Sequence, residues 1–324
     1  MKAIICTKYG SPNVLQIQEV AKPAPKADEV LIKIQAASIN ARDWRFMHAN
    51  PFFIRLKPGG LLRPKNQILG GDVAGRVEGV GRHVTQFKIG DEVFGYLPSA
   101  TGRGIFAEYV CANENTLALK PKNLSFEQAA AVPVAALTAL HGLRNNGHLQ
   151  PGQKVLINGA SGGVGTFAVQ IAKALGAEVT AVCSTRNLDL MRSLGADQII
   201  DYTREDFTRK DERYDLILAV NGYHPIADYL RALNPEGRYV VAGGSMRQLF
   251  QAALQKRRAA KTGGQKIFIV SLVQNQPDLA SLNELLESGQ IVPVIDACYP
   301  LSRTAEAFWY VEQEHAKGKV VITL

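Results

Sequence analysis

The chain has 324 residues and a mass of 35.2 kDa, with 37 Lys and Arg against 29 Asp and Glu, a net charge of +8 and a pI of about 9.3. That length exceeds one ordinary core and predicts two domains, and 46% hydrophobic with 20% charged residues excludes a disordered or fibrous chain. No run approaches the roughly 18 apolar residues of a membrane helix; the longest, from Ala129 to Leu140, carries Pro133 and Thr138.

The first 120 residues read as short strands and turns. A β-rich run from Val30 to Ala36 ends near Asn40. From Gly70 to Gly81 glycines recur among apolar residues, which marks bends where backbones approach closely, as in a small barrel. Gly90-Asp91 is a turn leading into Val93-Phe94-Gly95. Beyond Pro121 the pattern changes. Ser125 and Gln128 are spaced as a capping box for an apolar helix. From Lys154 onward strand, loop and helix alternate. Strands are expected at Val155–Ile157, Glu178–Cys183, Gln198–Ile200, Asp215–Val220, Arg238–Ala242 and Lys266–Val273. Helices are expected from Thr166 to Leu175, stopped by Gly176, and from Asn187 to Leu194, stopped by Gly195. Six strands alternating with helices predict a doubly wound parallel sheet in an α/β chain.

The charge is local. Arg247, Lys256, Arg257, Arg258, Lys261 and Lys266 place +6 in one acid-free segment and leave +2 for the rest. Within it Leu249, Phe250, Ala253 and Leu254 share a helical face, which fits a short membrane-surface helix or a solvated helix end. The rest of the molecule has no field for a polyanion, so nucleic acid is not expected, and with no apolar run of membrane length neither is integral membrane association. The tail reads as a helix at Leu279–Leu286, an apolar run at Thr304–Val311 and a last strand, Lys319–Leu324. The beginning of the chain lacks a secretory pattern. Cys6, Cys111, Cys183 and Cys298 are far apart with no CxxC. A reduced compartment, the cytoplasm, is the expectation.

Asn158-Gly159-Ala160-Ser161-Gly162-Gly163-Val164-Gly165 lies between an expected strand and an expected helix. Aligned to GxGxxG, Ala160, Gly162 and Gly165 take the three glycine places. Gly162 admits a pyrophosphate close to the backbone, and Gly165 lets the helix pack on the strand. The helix N-terminus adds free N–H groups and a positive dipole. An NAD-binding chain places an acid about 20 residues on, for the ribose 2′-hydroxyl. Here the second strand ends in Ser184-Thr185-Arg186. Two hydroxyls and a guanidinium suit a 2′-phosphate, so NADPH is the expected cofactor; Arg186 also fits a solvated helix start.

These residues, together with Asn40-x-x-Asp43, the Gly70 to Gly81 run, Phe87-x-x-Gly90-Asp91, Gly104-x-Phe106-Ala107-Glu108-Tyr109, Leu137-Thr138-Ala139-Leu140 and Gly318-Lys319-Val320-Val321, resemble the medium-chain dehydrogenase/reductase superfamily in its zinc-free quinone oxidoreductase-like branch. The resemblance implies a GroES-like β-barrel domain over 1–122 and 273–324 and a Rossmann domain over 123–272, with nicotinamide in the cleft between them. It implies that Asn40 lies near the nicotinamide, and that Thr138, Tyr202, Asn221, Gly243, Gly244, Ser245, Gly318 and Lys319 border the cofactor. Each has a plainer reading: Asn40 as a strand-end turn, Thr138 as a helix hydroxyl bonded to its own backbone, Tyr202 as packing. Where zinc-dependent relatives carry ligands, this chain has Asn40, Gly70-Gly71-Asp72, Val134 and Ala135, and no metal site is expected. The tyrosine that many relatives place two residues after the aspartate is Arg45 here, preceded by Trp44. Trp44, Phe46, Phe52 and Phe53 can wall an aromatic substrate pocket, or be core.

Without a Lewis acid, alcohol oxidation loses its main aid. The expected reaction is hydride transfer from NADPH to a quinone or an α,β-unsaturated carbonyl compound, with a hydrogen-bond donor steadying the enolate oxygen. A zinc-free alcohol or aldehyde reductase is the alternative, as is a non-catalytic NADP(H)-binding protein that senses redox state or binds RNA. A homodimer is expected, for which Lys266–Val273 offers an edge strand.

Overall fold

The computed structural model describes the chain apart from residues 57–59, 98–103, 223, 245–247, 256–263, 273–274 and 314–315. It forms two compact units. The first holds Met1–Val134, Gln274–Asn283 and Pro293–Leu324, and the second holds Ala135–Val273 and Glu284–Val292. Where the sequence reading divides the chain at 122 and 272, the contacts assign 123–134 to the first unit and 284–292 to the second. The helix at Phe126–Ala130, opened by the Ser125–Gln128 capping box, accounts for the first difference. Its buried Ala129 and Ala130 let it lie against strands of the first unit.

The first unit begins with β1 (Lys2–Cys6) and β2 (Leu15–Glu19), an antiparallel pair. It continues with β3 (Glu29–Ser38), β4 (Asp72–Val80), β5 (Glu92–Tyr96), β6 (Tyr109–Asn113) and β7 (Leu117–Leu119). Between β3 and β4 lies α1 (Ala41–His48), which the sequence reading did not foresee. The second unit carries β8 (Lys154–Asn158), β9 (Glu178–Cys183), β10 (Gln198–Asp201), β11 (Tyr214–Ala219), β12 (Leu233–Val241) and β13 (Lys266–Ile269). The chain then returns to the first unit with β14 (Ile295–Pro300) and β15 (Lys319–Thr323).

The first unit's main sheet runs β14-β15-β3-β4-β5-β7, with β6 also on β3. Its core includes Ile32, Ile34, Val73, Phe106, Phe308 and Ile322. Gly75 shows why glycines recur there: a Cβ at that position would lie 2.3 Å from the Lys33 carbonyl oxygen. Register brings three strand ends together. Ser38, at the end of β3, is opposite Asp72 on β4 and Val321 on β15. The first residues of β4 and β15 therefore meet at the end of β3, where Ile39 and then Asn40 follow in the chain.

The second unit is a six-stranded parallel sheet of order β10-β9-β8-β11-β12-β13. The order reverses at β8, the topological switch point where ligands bind in open α/β sheets. Two strands differ in extent from expectation. β12 starts at Leu233, through an irregular register with β11, and β13 ends at Ile269. The expected helix bearing Leu249 exists over 248–255. Leu249 packs on the core of the unit, while Phe250, Ala253 and Leu254 are exposed. Arg247, Lys256, Arg257, Arg258 and Lys261 of the basic segment, and Ser245, lie outside the described residues.

Candidate active site

The glycine loop joins β8 to the helix Gly163–Ala174 at the switch point. Gly159 has φ +85°, and a Cβ there would sit 2.7 Å from the Asn221 nitrogen. The loops after β8 and β11 thus lie against each other, and Asn221 N–H donates to the Asn158 carbonyl at 3.2 Å. A Cβ on Gly165 would meet the Gly159 carbonyl oxygen at 2.2 Å, so the helix rests directly on the loop. Gly162 is different. It is the helix N-cap, has no side-chain cap, and a Cβ there would approach only the Gly159 oxygen, at 3.7 Å. The first-turn N–H groups thus have no N-cap side chain as acceptor among the described residues, the arrangement that receives phosphate. Ala160 is fully buried and donates its N–H to the Val182 carbonyl at 3.1 Å.

Asn187 ties the loop to the end of β9. Its Nδ2 donates to Ser161 Oγ at 2.9 Å and to Ser184 Oγ at 3.2 Å. Asn187 was not among the residues read from the sequence; it resembles any helix-start asparagine until the fold brings the two loops together. Gly243 follows β12, and its N–H donates to the Ala219 carbonyl at 3.3 Å; Gly244 has φ +99°. Thr138 is buried in the helix Pro133–Leu140.

At the end of β9 the structure adds an acid. The linear stretch Ser184-Thr185-Arg186 has none, but Asp201 on β10 is paired in register with Cys183 and accepts from the Thr185 hydroxyl. Its other oxygen accepts from the Thr203 hydroxyl at 2.7 Å and the Thr203 N–H at 3.0 Å. The Thr185 hydroxyl is the chief reason its carboxyl stays below the usual carboxylate range, with Thr203 and Arg204 contributing. Three donors occupy this carboxylate, and Arg204 Nε stands 3.6 Å from it. Arg186 and Tyr202 are exposed beside this group. Arg204 is thus a second guanidinium at this end of the sheet, invisible to a reading confined to the β9 loop.

The first unit holds a separate polar cluster at the end of β3. Asp72 is fully buried. Its Oδ2 accepts from Ser38 Oγ at 3.1 Å and Asn40 Nδ2 at 2.9 Å, and its Oδ1 from Val134 N–H at 3.0 Å. Lys319 Nζ donates to Asn40 Oδ1 at 2.6 Å and lies 3.4 Å from Asp72 Oδ2. Burial pushes the Asp72 carboxyl up, against the opposing pull of Lys319 and of its hydrogen-bond donors. The backbone N–H of Asn40 donates to Asp43 Oδ2 at 2.8 Å. Arg42 donates to the Tyr96 hydroxyl at 2.8 Å. The resemblance suggested Lys319 as a cofactor contact; its ammonium is held inside this cluster, with the side chain 4% exposed. Gly318 has φ +91° and abuts the Val294 carbonyl.

The four aromatic residues differ in exposure. Trp44 is partly buried on the core of its unit and meets His48 in a tilted ring contact, 4.9 Å between centroids with an interplanar angle of 44°. Phe46 is buried, whereas Phe52 and Phe53 are exposed.

Two family models match the sequence: an alcohol dehydrogenase GroES-like domain over residues 26–122, and a zinc-binding dehydrogenase domain over residues 194–322. The chain is 38% identical over 332 residues to the 2-methylene-furan-3-one reductase of Solanum lycopersicum, covering 99% of this chain and 79% of that protein. It is 35% identical to the chloroplastic NADPH-dependent alkenal/one oxidoreductase of Arabidopsis thaliana, with the same coverage. Among solved structures it superposes on the quinone oxidoreductase from Coxiella burnetii with a TM-score of 0.89 and 31% identity, over 100% of this chain and 99% of that one. Fold, glycine loop and whole-length similarity agree: the chain belongs to the medium-chain dehydrogenase/reductase superfamily, in its quinone oxidoreductase-like branch.

Proposed function

We propose that the chain is an NADPH-dependent reductase that delivers hydride to a quinone or an α,β-unsaturated carbonyl compound and does so without zinc. The observation that carries the reading is the uncapped helix N-terminus behind Gly162, which has donors for a pyrophosphate and room for it. Arg186 and Arg204 supply the charge that favours a 2′-phosphate over a bare ribose, while Thr185 and Thr203 occupy the nearby Asp201. The acceptor class comes from the relatives, which are named as reductases of an exocyclic enone, of alkenals and enones, and of quinones.

NADPH, its pyrophosphate held at the helix N-terminus behind Gly162 and its 2′-phosphate by Arg186 and Arg204, would supply a hydride to the acceptor's β-carbon, with the C=C pair shifting toward oxygen. The negative charge then spreads over a conjugated system, so one or two hydrogen-bond donors serve where an alkoxide would need a metal. Asn40 is the side chain assigned to that oxygen, and water protonates the α-carbon.

Zinc does not fit the residues at hand. Asn40 Oδ1 and Asp72 Oδ2 already face the Lys319 ammonium, whose charge repels a divalent cation. Val134 and Ala135 offer no donor side chain. Among the described residues no three His, Cys, Asp or Glu side chains converge. The proposal also includes a cytoplasmic location and a homodimer joined through the edge of β13, although the Arabidopsis relative is named as chloroplastic.

The test is NADPH oxidation against a panel of quinones, enones and simple aldehydes. Turnover confined to the conjugated acceptors is expected. Turnover confined to simple aldehydes points to the carbonyl-reductase alternative, and none on any acceptor points to a binding protein.

A further inference from the structure

We infer that Lys319 is a positioning residue that orients and polarises the Asn40 side-chain amide, so that the second hydrogen of Asn40 Nδ2 is presented to the acceptor's carbonyl oxygen. This rests on the reductase reading above and assigns the origin of its hydrogen-bond donor.

A lysine ammonium only donates, and Lys319 Nζ lies 2.6 Å from one terminal atom of the Asn40 amide. That atom must be the oxygen, so the amide orientation is fixed by chemistry. Nδ2 therefore points at Asp72 Oδ2, 2.9 Å away. An amide nitrogen has two hydrogens. One goes to Asp72, and Nδ2 has no second acceptor among the described residues. Asn40 is half-buried, whereas Asp72 and Lys319 are buried. The cluster thus hides both charges and leaves its amide as the member that reaches outward.

Polarisation arises from the same bonds. Drawing electron density toward Oδ1 leaves the nitrogen poorer in electrons, which makes its remaining hydrogen a better donor. A buried Lys–Asp pair is weak evidence of stability, because desolvation offsets much of the attraction. Its placement around one amide is better explained by orientation. Ser38 and Val134 complete the support by filling the other positions on Asp72.

The experiment measures kcat and KM for an enone with NADPH, and the NADPH dissociation constant, in Lys319→Met, Lys319→Arg, Asn40→Ala and the double variant Lys319→Met/Asp72→Asn. The double variant removes both buried charges together, so it keeps the test open where Lys319→Met alone fails to fold. Loss of a single oxyanion donor lowers kcat by about 100- to 1,000-fold. Asn40→Ala is expected to fall by that order, and the lysine-to-methionine variants by at least about tenfold. NADPH affinity should stay within about twofold in each, and Lys319→Arg should recover most of the lost kcat. Folded Lys319→Met or double variant with wild-type kcat overturns the inference. So does a loss that appears equally in kcat and NADPH affinity, which marks a merely structural role. A wild-type protein without turnover on any conjugated acceptor overturns both this inference and the reductase reading.

Discussion

Asp43 is a buried carboxyl at the start of α1, and burial pushes it up to about 7. The nearby Asp72 charge adds to the rise, while the Asn40 N–H, Lys319 and Arg42 oppose it. Folding thus favours the protonated form. Its contribution to stability is full below the unfolded pKa of about 4 and is lost as pH rises toward 7. The loss is at most about 1.4 kcal/mol per pH unit across that interval. Asp43→Asn keeps an oxygen for the Asn40 N–H, so it should flatten this slope and gain stability over wild type at pH 8 more than at pH 4. Urea unfolding at the two pH values checks this; parallel profiles would contradict it. The two arginines proposed to meet the 2′-phosphate make a second test. A charge-assisted hydrogen bond is worth about 1.5–3 kcal/mol, so Arg186→Ala and Arg204→Ala should each weaken NADPH by roughly 10- to 100-fold. NADH should be nearly unaffected, by fluorescence titration. Equal losses for both cofactors would mean that neither guanidinium meets a 2′-phosphate.

The glycine loop separates folding from binding. Gly162→Ala meets no obstacle in the protein and should cost about 1 kcal/mol or less as an N-cap change. It should weaken NADPH at least about tenfold, because the methyl occupies space meant for phosphate. Gly165→Ala drives a carbon to within 2.2 Å of a backbone oxygen and should lower the melting temperature markedly. If Gly162→Ala binds NADPH normally, phosphate does not lie there. This loop was legible in the sequence because strand, glycines and helix are consecutive. So were the six parallel strands, whose apolar runs are bounded by glycine stops. α1 was missed: its capping carboxylate Asp43 looked like part of a motif and not a helix start. β14 was missed because its residues are half-exposed without clean alternation. Asp201 and Arg204 were missed because a parallel neighbour strand brings them to the β9 loop from 15 or more residues away in sequence. The Lys319 contact was illegible for the same reason, since 279 positions separate it from Asn40.

The net charge of +8 suggested a polyanion until its distribution was traced to one segment. No helix among the described residues is long and apolar enough to cross a membrane. Each unit contributes a distinct capability: the second a phosphate-receiving loop at its switch point, the first an internal lysine at the place where zinc-dependent relatives carry metal ligands. Both features enter the proposal of NADPH-linked reduction without a metal. The direct measurement is the initial rate of NADPH oxidation with a simple enone by protein whose zinc content has been determined, before and after exhaustive chelation. Substoichiometric zinc is expected, with an unchanged rate after chelation and a much higher kcat/KM for NADPH than for NADH. Stoichiometric zinc together with activity lost on chelation and restored by the metal would contradict it.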